Sequence, residues 1–502
     1  MSSQPNILIL MADQLAPHFT GAYGHPIVRT PNMNVLAERG MRFDAAYTNS
    51  PLCAPARFSF MAGERPSRIG AWDNAAGFPS FIPTFAHHMG IAGYRTCLSG
   101  KMHFVGPDQL HGFHERLTTD VYPADHGWTP DWVNADQRLG AWYHNMDSIL
   151  EAGPCDTSVQ LEFDDEASFL AERRLFRFAA RQEQPFLMCL SLTHPHDPYE
   201  ARPEFWDMYP DDQIDMPDQE APADPHSARI KAGIEAETSG VTEVHIRNAR
   251  RAYYANVSYV DHQFGRMMRA LEKTGQLDNT VIILTCDHGD MLGDRGLWFK
   301  MNFYERSARV PLIMAGPGVA AGSNAEPCSL MDLLPTMLDV AGASPSDYHG
   351  DGRSLWHLAS GGPVDPDART ISEYFGECSA DPMVMLRRGA MKYIHCAIDP
   401  PQLYDLDKDP EERNNLAHDP AFASLSASFP KEVAATWDID TLRDEVRQNQ
   451  RQRHLVHRAM EAGPLVSWDH SPHRDAGNEY VRSHITWMDA AKASRWPPVQ
   501  EN

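Results

Sequence analysis

Cys53 stands in the run Pro51-Leu52-Cys53-Ala54-Pro55-Ala56-Arg57. Pro55 suits the first turn of a helix, where no backbone N–H is needed. Cys53 would then sit at the positive, N–H-rich end of that helix, a cradle for a tetrahedral anion. Arg57, four residues on, returns to the same face one turn later. Read alone, the pentad is also what a buried thiol beside a helix start looks like. Asp13 and Asp287 each follow an apolar run and are hard oxygen ligands suited to Ca2+ or Mg2+. Further cations and imidazoles come from Lys101 and His103 in Ser99-Gly100-Lys101-Met102-His103, His196 in Pro195-His196-Asp197-Pro198, and Lys300 in Trp298-Phe299-Lys300-Met301. Arg57, Lys101 and Lys300 would together make a positive focus for an oxyanion. Taken singly, a lysine is as readily a surface charge and a histidine a core side chain.

These residues are far apart in the chain, so secondary structure must gather them. Short, continuously apolar runs at 7–12, 186–192 and 281–285 alternate with helical periodicity at 32–39, 80–92, 164–181 and 246–274. That is the βα pattern of a mainly parallel sheet covered on both faces. Each of the three strands runs into ligand-type residues: Asp13-Gln14, His194-Pro195-His196-Asp197 and Asp287-His288-Gly289-Asp290. Open α/β sheets collect ligands beyond the carboxyl ends of their strands, so one shared site is expected. The Pro- and Asp-rich stretch 208–227 reads as a surface loop or insertion. From about residue 370 short strands at 385–388, 392–396 and 403–406 mark a change of texture. The expected fold class is α/β: a large mixed, mainly parallel sheet sandwiched by helices over 1–370, then a smaller C-terminal α+β module with an antiparallel sheet over 371–502. The aromatic-rich tail, with Trp468, Trp487 and Trp496, is expected to dock on the core or on a neighbouring subunit.

Composition narrows the function. A net charge of −24 repels nucleic-acid phosphates and anionic membranes, so neither is an expected partner. No apolar run approaches the roughly 18 residues of a membrane span. No secretory signal is visible ahead of the first strand, and the eight scattered cysteines lack any Cys-x-x-Cys pair, which reads as reduced thiols and a cytoplasmic location. An acidic body with a local cationic site also favours a substrate that carries its own positive group.

Cys-x-Pro-x-Arg at Cys53, followed by Met61-Ala62-Gly63-Glu64-Arg65-Pro66-Ser67-Arg68, closely resembles the signature of the type I sulfatases of the alkaline-phosphatase superfamily. Gly100-Lys101-Met102-His103, Pro195-His196-Asp197-Pro198, Asp287-His288 and Lys300 follow in the order of that family. The resemblance implies that Cys53 is oxidised to Cα-formylglycine by an installing enzyme. Its hydrated aldehyde would supply an oxygen to sulfur, and its second hydroxyl would let the bound sulfate leave. It implies one Ca2+ held by Asp13, Gln14, Asp287, His288 and residue 53. This chain has Asp13-Gln14 where many sulfatases have Asp-Asp, and His288 where many have Asn, and the softer imidazole leaves room for Mn2+ beside Ca2+ or Mg2+. It further implies that Lys101, His103 and His196 contact sulfate, and that Lys300 binds it and protonates the leaving alcohol.

Segments 99–113, 125–130, Asp73-Asn74-Ala75-Ala76, Trp142-Tyr143-His144-Asn145 and 287–293 resemble the choline sulfatase group of that family. A trimethylammonium group needs an aromatic face or a carboxylate, and each cation–π contact is worth about 0.5–2 kcal/mol. Trp128 is the expected face, with Asn74 and His144 lining the pocket; plain packing is the alternative for each. The resemblance also implies a homodimer or homotetramer. The other functions to be tested are an arylsulfatase or phosphonate monoester/phosphodiester hydrolase on the same scaffold, a non-catalytic choline-binding protein with unmodified Cys53, and a structural assembly subunit.

Overall fold

The computed structural model describes residues 4–134, 144–181, 184–222, 224–343, 348–464, 467–473, 486–488 and 495–497. Its main sheet has eight strands: β1 (Asn6–Ala12), β2 (Met41–Phe43), β3 (Arg95–Gly100), β4 (Glu115–Arg116), β5 (Phe186–Ser191), β6 (Thr280–Cys286), β7 (Leu312–Ala315) and β8 (Gly322–Asn324). They lie in the order β8-β2-β7-β6-β1-β5-β3-β4, and only β7 runs antiparallel to its neighbours. Every residue of β1, β5 and β6 is buried. Successive side chains point to opposite faces, so both faces of the sheet centre are covered, which is why the middles of these strands are apolar, with Asn6, Ser191, Thr280 and Thr285 at or near their ends.

The positioning helices are α1 (Pro31–Arg39), α2 (Cys53–Ala62), α3 (Phe85–Ile91), α4 (Val159–Arg181), α5 (Glu243–Lys273) and α6 (Ile439–Glu461). α5 packs on α1 and α4. Its Asp261 accepts the backbone N–H groups of Asn32 and Met33 at 3.1 and 2.8 Å, placing a carboxylate at the positive end of α1. The helix expected over 80–92 is shorter than the sequence pattern implied. Pro83 precedes it and Thr84 caps it, accepting from His87 N–H, so the regular turns begin at Phe85. The stretch 208–227 is mostly irregular, as expected, but Pro225 opens a helix (Pro225–Gly233) and Asp215 ties the loop to Arg250 of α5.

A second, four-stranded antiparallel sheet follows: β9 (Arg369–Tyr374), β10 (Met383–Arg388), β11 (Met391–Cys396) and β12 (Gln402–Asp405). Its core shares Trp72 and Trp132 with Phe375, Val384, Leu403, Leu442 and Val446, so the small sheet and α6 seat on loops from the amino-terminal part. Trp468 packs edge-on against His126 and Trp496 donates to the Lys273 carbonyl, whereas Trp487 is exposed. All eight cysteines lie among the described residues and none is in a disulfide. Among those residues no helix is long and apolar enough to cross a membrane.

Candidate active site

The carboxyl ends of β1, β3, β5 and β6 bring the widely separated motifs together. Asp13 and Gln14 leave β1, Lys101 and His103 leave β3, His196 and Asp197 follow β5, and Asp287, His288 and Asp290 follow β6. The parallel pairing of β1 with β5 and β6 makes this convergence unavoidable. α2 brings up Cys53 and Arg57, with Pro55 in its first turn. Gly100 has φ +101°, and any Cβ there would overlap the Ser191 carbonyl oxygen, so only glycine lets Lys101 turn inward beside β5. Four non-glycine residues around the site, Gln14, His103, Phe299 and Met301, also have positive φ, between 60° and 76°. Such conformations cost on the order of 1–3 kcal/mol each and collect where function dictates geometry.

Arg57 is the centre of a fully buried ionic knot. Its guanidinium donates to Asp287 at 2.8 Å, to Asp13 at 3.3 Å, and to the Lys101 carbonyl and Ser191 Oγ at 2.8 Å each. Lys101 pairs with Asp13, and its ammonium sits 4.1 Å from the centre of the Tyr122 ring. Burial alone would raise the Asp13 carboxyl, but Lys101 foremost, with His196 and Arg57, holds it well below the usual carboxylate range. Burial would lower Lys101, yet Asp13 leaves it raised. Both ions therefore stay charged. Burial and then Asp13 push the Cys53 thiol up to about 11.

Asp13, Cys53, Asp287 and His288 each present a donor atom, all within 4.8 Å of one another. His288 Nδ1 lies 3.1 Å from the Gly289 carbonyl, which must take its N–H. That leaves the Nε2 lone pair facing Cys53 Sγ at 3.2 Å and the carboxylates of Asp13 and Asp287 at 3.7 and 3.8 Å. Burial pushes His288 down to about 4, so it is neutral. A ring lone pair directed at two carboxylates is an arrangement that a divalent cation satisfies. Gln14 stands at the edge of this set. Its NH2 donates to Asp197 at 3.2 Å and Asp290 at 2.7 Å, and its amide oxygen accepts from Lys300 at 2.6 Å. To ligate an ion, that oxygen would have to leave Lys300.

Lys300 Nζ also meets His196 Nε2 at 2.7 Å. An ammonium only donates, so Nε2 accepts, and the ring proton lies on Nδ1, 2.6 Å from the Asp197 carbonyl. Burial and Lys300 hold His196 well below its ordinary value, consistent with that neutral tautomer. His103 is buried, and neither ring nitrogen has a hydrogen-bond partner among the described residues; burial and Lys101 push it down to about 3. Its ring is edge-on to Trp128 at 5.9 Å and lies 5.2 Å from Tyr122, which in turn meets Trp128 at 5.2 Å. His144 stacks on Phe299 at 4.5 Å and on His196 at 5.5 Å, with Asp197 at 3.5 Å. Asn74 accepts the Ala54 N–H at 2.9 Å, so its side chain braces the first turn of α2. Trp142 and Tyr143 lie outside the described residues.

The sequence pattern did not single out Tyr122 or Glu377, and it placed Asp290 in a ligand-type run without giving it a role. Glu377 is buried, and neither carboxyl oxygen has a hydrogen-bond partner among the described residues. Burial first, and then the charge of Asp73, push it up to about 8, while Lys300 and Arg453 pull the other way. It is a buried acid that a cation would satisfy.

Known proteins place the chain in a family. The family model described as sulfatase matches residues 5–343, the one described as N-sulphoglucosamine sulphohydrolase, C-terminal, matches 293–438, and choline sulfatase enzyme C terminal matches 444–496. The chain is 46% identical over 510 residues to the choline-sulfatase of Rhizobium meliloti, covering 99% of both chains. It is 29% identical to an arylsulfatase of Clostridium perfringens, covering 82% of this chain and 90% of that one. The fold matches the phosphonate monoester hydrolase of Agrobacterium radiobacter with a TM-score of 0.69 at 24% identity, over 88% of this chain and 96% of that one. The chain belongs to the sulfatase family and is a sulfuric ester hydrolase.

Proposed function

We propose that the chain hydrolyses choline O-sulfate to choline and sulfate, with residue 53 acting as Cα-formylglycine and with Ca2+ held by Asp13, Asp287, His288 and residue 53. The observation that carries the substrate is the junction of two surfaces. The cationic cradle of Lys101, Arg57 and Lys300 runs directly into the aromatic wall of Tyr122 and Trp128. The whole-chain likeness to a choline-sulfatase supports the same reading.

The chain's own residues divide the work. Lys101 and the single N–H of neutral His103 donate to sulfate oxygens. Lys300, steadied by Gln14 and His196, is the acid that protonates the leaving alkoxide. His196, neutral and accepting, holds that ammonium in place. An ion at the carboxylates supplies Lewis-acid help to the hydroxyl of residue 53. Asp13 and Asp287 are already balanced by Arg57 and Lys101, so a divalent ion makes the site strongly cationic and favours an anion beside it. Removing divalent ions with a chelator is therefore predicted to abolish turnover and to weaken inorganic sulfate binding. Titrations should show Ca2+ and sulfate raising each other's affinity by the same factor. Independent binding would contradict the shared site, and comparing Ca2+ with Mg2+ and Mn2+ identifies the ion.

Trp128 offers a face, and Glu377 a carboxylate, to the trimethylammonium group. Trp128→Ala should raise KM for choline sulfate by about 2- to 30-fold, the equivalent of one cation–π contact, and leave KM for an uncharged alkyl sulfate unchanged. Glu377, with its pKa of about 8, holds a proton at neutral pH until a cation arrives. KM for choline sulfate should therefore fall as pH rises through about 8, and Glu377→Gln should flatten that dependence. The deciding assay compares choline sulfate, an aryl sulfate and an aryl phosphonate monoester. Highest kcat/KM on choline sulfate supports the proposal, and preference for either aryl ester overturns it.

A further inference from the structure

α6 buries Leu442, Val446, Gln450 and Arg453 along one stripe. The first two belong to the core beneath the small sheet, but the last two are polar and reach the loops beside the active site. Arg453 grips Asp73 with a bidentate fork, both contacts at 2.6 Å, and the same guanidinium donates to Thr129 Oγ1 at 3.1 Å. Its Nε–H donates to Asn449 at 2.7 Å. Arg453 and Asp73 are both buried, with side-chain exposures of 5% and 0%. Gln450 accepts the Trp132 N–H at 3.1 Å, and His454 meets the Pro130 carbonyl at 3.2 Å. The loop that carries Trp128 is thus fastened to α6 at Thr129, Pro130 and Trp132.

The other end of the fork leads to the nucleophile. Asp73 is followed by Asn74, whose amide oxygen takes the Ala54 N–H in the first turn of α2, immediately after Cys53. Arg453 also bears electrostatically on Glu377. One side chain therefore sets the spacing between the helix that presents residue 53 and the aromatic wall.

We propose that Arg453 is a positioning residue for substrate specificity: through Asp73 and Thr129 it fixes the distance between the sulfate cradle and the Trp128 face, without touching substrate itself. This rests on the choline sulfate reading above. A bidentate guanidinium has a geometry that an ammonium cannot copy. Arg453→Lys should keep the charge but loosen the fork, raising KM for choline sulfate by about tenfold, the equivalent of one lost anchoring contact, with kcat changed less than about threefold.

Removing Arg453 alone strands a buried Asp73, so the decisive variant is the double Arg453→Met/Asp73→Asn, which removes both charges. It is expected to fold, with a thermal midpoint close to the parent's, and still to show raised KM for choline sulfate and little change for an uncharged alkyl sulfate. A well-folded double variant with the parent's KM for both esters would overturn the proposal, as would an equal loss on both esters. A parent enzyme with no preference for choline sulfate would instead sink the substrate reading alone. Arg453 would then be judged on the better ester, where raised KM in the folded double variant sustains the positioning role and parental KM overturns it.

Discussion

Cys53→Ala should lose turnover of sulfate esters by at least about 10^4-fold, the scale on which removal of a catalytic nucleophile is felt, while the protein keeps its fold. The side chain is small and fully buried, and Ala54 and Ala56 already populate the same turn, so alanine adds no clash and leaves no unpaired charge. Every cation around the site keeps its partner, since Arg57 and Lys101 are paired with Asp13 and Asp287 rather than with residue 53. Binding of inorganic sulfate should survive within a few-fold. A variant that turns over substrate at the parent's rate would remove residue 53 from the chemistry.

Arg57→Ala should behave in the opposite way, harming the fold as well as activity. It leaves Asp13 and Asp287 buried with less compensation, and breaking a buried ion pair from one side typically costs about 3–5 kcal/mol. Lys101 still neutralises Asp13, but Asp287 loses its close guanidinium contact at 2.8 Å. The urea midpoint should fall at neutral pH. The sign of the pH dependence follows from Asp13, whose folded-state pKa is depressed. Its stabilising contribution is complete above the unfolded-state value near about 3.9 and is lost as pH falls towards the folded-state value. The gap between parent and variant should therefore narrow below about pH 4. Equal urea midpoints at pH 7 would show that the knot does not hold the sheet ends together.

The parts of the site that the sequence made legible are those carried by regular structure. A strand buried on both faces needs a continuous apolar middle, so β1, β5 and β6 announce themselves, and the charged residues that follow them fall at the sheet's carboxyl edge. Pro55 likewise marks the start of α2 and thereby the station of Cys53. What could not be read is what depends on two distant loops meeting. Gln14 was expected to turn its amide oxygen to an ion, but Asp197 and Asp290, 183 and 276 residues away, claim its NH2 and direct the oxygen to Lys300. Glu377 follows a glycine in a loop with no periodicity, and only tertiary packing makes it a buried acid. Arg453 lies in a strongly charged helix, and its burial depends on Asp73, 380 residues earlier, being there to meet it.

The same limit applies to Asn74. Its neighbourhood resembled a substrate pocket, and in the structure its amide oxygen caps a backbone N–H of α2. That bond links pocket and nucleophile mechanically, so a change at Asn74 is expected to move both. The acidic body and the cationic site are reconciled in the same way. A charge of −24 is spread over the whole chain, whereas Arg57, Lys101 and Lys300 are each fully buried beside the carboxyl ends of the central strands.

The central claim is that residue 53 works as an aldehyde hydrate and not as a thiol. Mass spectrometry of the peptide spanning Cys53, taken from active protein, tests it directly. Conversion to Cα-formylglycine lowers the peptide mass by about 18 Da, and the modified fraction should track specific activity from one preparation to the next. Fully active protein whose peptide carries only unmodified cysteine would contradict the account.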